Sequence, residues 1–144
     1  MIRDLHREFM RVTALPPEER ALVDLPAAEA KRSERRRFFE LMGGGGGGAS
    51  EKGGGMDIES FYRAQRVWDA TMAESVARLL REGHRVALVV GRFHAYDRAG
   101  VVHELNARTQ ASSATLLIEP NGLSVWQPTH RGTGDVYAYV PATE

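Results

Sequence analysis

The sequence predicts an α/β domain: a partial, mostly parallel sheet flanked by helices, with a long central helix leading into a strand–helix–strand (βαβ) unit. Three observations predict it. Two continuous apolar runs, "RVALVV" at 85–90 and "SATLLIEP" at 113–120, have the pattern of strands covered on both faces, as in a parallel sheet. Between them, "GVVHELNART" at 100–109 reads as a short helix with Val101, Val102 and Leu105 inward, and a strand, helix, strand order implies a right-handed crossover. Ahead of both runs, Ile58, Phe61, Trp68, Met72, Val76, Leu79 and Leu80 recur at helical spacing and make one apolar stripe on a long helix.

The remaining elements follow from local signals. Ile2, Leu5, Phe9 and Val12 suit a short opening amphipathic helix. Pro16 and Pro17 suit the start of a second, with Glu18 and Glu19 favourable in its first turn. "AAEAKRSERRRFFELM" at 27–42 reads as a third helix, whose face Ala30, Glu34, Arg37, Leu41 is mixed. Its "KRSERRR" segment suits a solvated face better than a nucleic-acid patch, since acidic residues flank it and no aromatics interleave. The glycine-rich run at 43–55 has almost nothing to bury, so a mobile loop is expected. It lacks the Gly-Lys-Ser/Thr and the preceding strand of a phosphate loop. Asp57 suits the N-cap of the long helix and Gly83 its C-terminal stop. "LSVWQP" and "DVYAYVP" suit later, shorter strands. Three regions are therefore expected: helical 1–42, a flexible loop 43–55, and an α/β core 56–144. Two central strands and two marginal ones make a thin sheet, so part of it is expected to lie outside this chain.

With 144 residues, 42% of them hydrophobic and 26% charged, the chain has the composition of an ordinary soluble domain or part of a larger one. Its formal net charge of +0 argues against a general nucleic-acid surface. The absence of cysteine excludes disulfides, thiolate metal sites and a cysteine nucleophile, and leaves the redox compartment open. The charged, amphipathic start is unlike a signal peptide, and no apolar run approaches a membrane span.

Ligands of open α/β sheets bind at the carboxyl ends of the strands. Gly91, Arg92, Phe93, His94 and Tyr96 follow directly on "VALVV" and so occupy that position. Gly91 permits a sharp turn or a close backbone approach. His94 suits a metal or haem contact, a general base or an anion donor, or else a hydrogen bond to a nearby loop carbonyl. Tyr96 is either a phenolate ligand to ferric haem iron or a surface tyrosine. Asp69, beside Trp68, is either placed to accept a bond from His94 or Arg92, or a solvated helix carboxylate paired at helical spacing with Arg66 or Arg78. Arg92 suits a ligand carboxylate. His6, His84, His103 and His130 are scattered in sequence. Ser112 and Ser113 lack the nucleophile-elbow pattern, and no paired-histidine zinc motif occurs.

Together, "YRAQRVWDATMAESVARLL" and "HRVALVVGRFHAYDRAGVVHELNAR" resemble the ChaN family of haem-binding, iron-regulated proteins. The shared elements are Gln65, Trp68, Asp69, Met72 and Ala73 on a helix, then a Gly-x-x-His turn at Gly91 and His94, and Gly100 at the following helix. "GDVYAYVP" is similar to that family's closing strand, so the resemblance runs from Phe61 to Pro141. It implies an α/β fold of the superfamily that also holds erythromycin-esterase-like and Tiki/TraB-like proteins. It also implies haem as cofactor, a tyrosine ligand to iron, histidine contacts to propionates and pairing of two protomers. Tyr96 is the nearest candidate ligand and Tyr62 the next. Related proteins are often exported or lipid-anchored. The family's N-terminal Gly-Glu-x-His motif is absent and the glycine run is an insertion, so a C-terminal half is expected. The alternatives are a metal-dependent hydrolase of the wider superfamily, with His94 as base or metal ligand assisted by Asp69 or Glu74, or an inactive truncated fragment.

Overall fold

The structure, a computed structural model, describes residues 10–44, 58–119 and 131–139. The expectations for Ile2, Leu5, Phe9, Asp57, His6, His130, "LSVWQP" and most of the glycine run lie outside these residues. The chain divides into two compact units, Met1–Met72 and Ala73–Glu144. Among the described residues the elements are helices α1 (Met10–Thr13), α2 (Pro17–Arg20), α3 (Arg32–Gly44), α4 (Ile58–Arg81) and α5 (Gly100–Arg108), and strands β1 (Leu116–Glu119) and β2 (Val136–Tyr139). An α/β fold with a parallel sheet is thus present: β1 and β2 pair in parallel, with Leu116 opposite Val136 and Ile118 opposite Ala138.

Pro17 opens α2, where its missing N–H needs no partner, and Pro16 before it is extended, with ψ of 147°. The expected third helix begins at Arg32 and continues two residues into the glycine run. In the first unit, α3 packs on α4 through aromatic rings. Phe38 lies 5.2 Å from Tyr62 and 5.5 Å from Phe61, centroid to centroid. These separations are in the range of favourable tilted ring pairs. The segment before α3 is tied to α4 by Arg66, which donates to the Ala28 carbonyl, and by the Asp24 amide, which donates to Thr71 Oγ1 at 2.9 Å. Arg35 bonds Glu59 at 2.6 Å at the rim.

The long helix forms as expected, but its buried face coincides only in part with the apolar stripe. Tyr62, Gln65, Arg66, Asp69, Ala70, Ala73, Val76 and Ala77 are buried, whereas Trp68 is 52% exposed and Leu79 is 37% exposed. The buried positions still recur three and four apart, so the element is amphipathic about a different axis. At its end, Gly83 has φ +87°, its amide donates to the Leu80 carbonyl at 3.0 Å, and the His84 amide donates to Leu79 at 3.0 Å. These are the two bonds of a Schellman stop, and the left-handed residue they require is glycine.

The second unit contains the difference from expectation. Residues 84–90 carry no regular secondary structure, and Val89 is 95% exposed. "RVALVV" therefore forms no strand, among the described residues α5 is followed but not preceded by one, and the parallel pair is made by β1 with β2 instead. A strand requires a neighbouring backbone as well as an apolar sequence. The pair β1–β2 is also covered on one face only. Leu117 is 3% exposed, while Leu116, Ile118 and Val136 are each more than half exposed. The end of α4 is fastened to α5 by charge. Arg108 bonds Glu104 at 2.5 Å and approaches Glu74 at 3.4 Å, and Glu74 also pairs with Arg81.

Candidate functional site

The residues from Gly91 to Arg98 form two successive single turns of 3-10 helix, Arg92–His94 and Tyr96–Arg98, packed against α5. The His94 amide donates to the Gly91 carbonyl at 2.9 Å and the Ala95 amide to Arg92 at 3.1 Å, so the chain reverses tightly at the position expected from the sequence. A Cβ on Gly91 would lie 3.7 Å from the His94 ring, which is ordinary contact, so glycine is not sterically demanded there.

This turn gathers four of the five expected site residues. Gly91 and Arg92 are exposed, and His94 and Tyr96 are half-buried. The Arg92 guanidinium lies 4.7 Å above the centre of the Tyr96 ring, a cation–π contact. Phe93 between them is 41% exposed. Within five residues the turn therefore carries an exposed guanidinium and a half-buried imidazole and phenol beside an apolar ring. That donor set suits a flat apolar ligand carrying carboxylates and a metal centre that accepts oxygen or nitrogen. Asp69, the fifth, belongs to the first unit, where it is 2% exposed, so it is not the solvated helix carboxylate that was one of its two readings. Glu74, the other acid considered, is engaged by Arg81 and Arg108.

The two tyrosines differ sharply. Tyr62 is 1% exposed and its ring is packed against Phe38 and Phe39. Tyr96 is half-buried. His103 is half-buried on α5, and His84 is exposed beside Glu82. Among the described residues no group of three or more His, Asp or Glu side chains could hold a metal ion, so the hydrolase alternative gains no ligand set there. Nor is any described helix long and apolar enough to cross a membrane.

The surroundings of the turn depart from the expected strand-end position. The Asp97 amide donates to the Thr133 carbonyl at 2.7 Å, and Arg98 pairs with Asp135. Asp135 immediately precedes β2, and its carboxylate also accepts from the Thr115 amide at 2.7 Å, just before β1. The turn is thus tethered at the amino ends of the two formed strands. Sequence reasoning missed Arg98, Thr115, Thr133 and Asp135, which join positions 20 and 37 residues apart. No periodicity marks such a pairing, and a lone Asp before a strand is common in turns.

A family model described as "Haem-binding uptake, Tiki superfamily, ChaN" matches residues 1–105, and the chain belongs to that family. The match takes in the Arg92–Arg98 turn and ends within α5, before both strands. No curated protein and no solved structure matches the chain significantly.

Proposed function

We propose that this member of the haem-binding uptake family binds haem at the turn from Gly91 to Tyr96, with Tyr96 as the iron ligand. Support comes from family membership together with one observation: of the two tyrosines named as ligands, Tyr62 is buried whereas Tyr96 is only half-buried, and Tyr96 stands beside the Arg92 guanidinium in the same turn as His94. Tyr62 would reach a ligand only by unpacking from Phe38 and Phe39. His94 and Arg92 would hold the propionates, Arg92 through its planar fork, which leaves the Tyr96 ring as it turns to the carboxylate. Phe93 would cover part of the porphyrin face. When bound, haem supplies a ferric centre that a phenolate oxygen satisfies.

Haemin titration of the purified chain, followed by absorbance, tests this. A saturable Soret shift at equimolar haemin is expected. It should be weakened about tenfold or more by Tyr96→Phe and less by His94→Ala. Tyr62→Phe should leave it unchanged. Loss of the signal with Tyr62→Phe but not Tyr96→Phe would refute the ligand assignment, and no saturable shift from the folded chain would refute haem binding. Sedimentation of the loaded chain reports in the same samples whether two protomers pair.

A further inference from the structure

We propose that Arg98 and Asp135 form a clasp that fixes the Arg92–Arg98 turn in its ligand-presenting conformation, which makes both of them positioning residues for haem; the inference rests on the reading above. Two successive residues with side chains, Asp97 at φ 62° and Arg98 at φ 49°, lie in the left-handed region. Aspartate visits that region readily, but arginine rarely does, and such a pair persists only where its surroundings hold it.

The surroundings here are specific. The Asp97 amide is held by the Thr133 carbonyl at 2.7 Å, and the Thr133 hydroxyl is bonded to the Tyr137 hydroxyl on β2. The Arg98 guanidinium is held by Asp135 Oδ1. Asp135 is itself immobilised: Oδ2 accepts from the Thr115 amide at 2.7 Å, and its own amide donates to the Thr115 carbonyl at 2.9 Å. A carboxylate pinned to the start of β1 thus draws the arginine into its left-handed conformation. That in turn sets the direction in which the preceding residues, including His94 and Tyr96, are presented.

The Arg98 side chain is 54% exposed and that of Asp135 is 27% exposed. An ion pair so open to water contributes little to global stability. Removing it should therefore change the turn while leaving the fold in place, which separates a positioning role from a structural one.

The test uses the full chain with Asp135→Asn, which keeps an acceptor for Thr115, Arg98→Gly, which relieves the left-handed strain as it removes the charge, and Arg98→Lys, which keeps the charge without the fork. Two measurements are made on each: haemin affinity with the absorption spectrum of the complex, and amide exchange of residues 94–97 without haemin. Asp135→Asn and Arg98→Gly should weaken haemin binding about tenfold and alter the spectrum of what remains bound. They should speed exchange of the Asp97 amide and leave the thermal midpoint nearly unchanged. Arg98→Lys should fall between these variants and the unsubstituted chain. Unaltered exchange at Asp97 overturns the clasp whether or not haemin binds. Altered exchange with unaltered affinity and spectrum overturns its role in presenting the ligand. An unsubstituted chain that takes no haemin refutes the haem reading itself, and with it that role, while the exchange measurement still decides the clasp.

Discussion

Replacing Glu104 with alanine should cost about 3 kcal/mol of stability. The side chains of Glu104 and Arg108 are 4% and 9% exposed, so the pair is effectively out of water and screening does little to it. Removing one partner of a buried pair typically costs about 3–5 kcal/mol, because the other charge is left without compensation. Here Arg108 keeps two acceptors, the Glu104 backbone carbonyl at 3.0 Å and Glu74 at 3.4 Å, which places the loss at the low end. For a chain of this length the thermal midpoint should fall by about 10 °C. The assay is denaturant and thermal unfolding of the unsubstituted chain, Glu104→Ala, Arg108→Leu and the paired Glu104→Leu, Arg108→Leu. The paired variant should recover most of the loss, since no charge is then stranded. A cost below about 1 kcal/mol for Glu104→Ala would mean that this pair within α5 behaves as a surface pair, and would refute the reasoning from its burial.

Two glycines give complementary tests. A Cβ on Gly134 would lie 3.0 Å from Leu117 Cδ1 and 3.1 Å from its Cγ, and Leu117 is buried, so Gly134→Ala should destabilise by about 1–3 kcal/mol in urea unfolding. At Gly83 nothing lies within 4 Å, but φ is +87°, so Gly83→Ala should cost about 1 kcal/mol for the backbone alone and fray the last turn of α4, visible as faster exchange of the His84 amide.

What the sequence made legible was local. The stop of α4 at Gly83, the proline start of α2 and the reversal at Gly91–His94 are each settled by neighbouring residues, and each forms where expected. What it hid was long-range. On α4 the apolar stripe named Val76, which is buried, but also Trp68 and Leu79, which are not; most of the buried face is built from Tyr62, Val67, alanines and Gln65, Arg66 and Asp69. Alanine adds little to a hydrophobic pattern yet allows close approach. A buried arginine becomes acceptable only through an acceptor such as the Ala28 carbonyl, 38 residues away. "RVALVV" has the composition of a central strand but no strand forms there, because composition states a preference for burial and pairing needs a second backbone. Of the candidate site, Gly91, Arg92, His94 and Tyr96 were legible as a group because they are adjacent. The Arg98–Asp135 tether was not, because it spans 37 residues.

That tether also carries a kinetic consequence. The α5 helix can form from contacts a few residues apart, on the sub-microsecond to microsecond scale of helix growth. The contacts Thr115–Asp135 and Arg98–Asp135 instead require the chain to close loops of 20 and 37 residues before any stabilisation is returned. The left-handed pair at Asp97 and Arg98 should consequently be among the last features set during folding and among the first lost on partial unfolding. A nascent chain would complete its helices while the turn was still searching for its conformation. Competence to receive a ligand would then lag behind compaction, and the ligand, by capturing the finished turn, would slow its reopening.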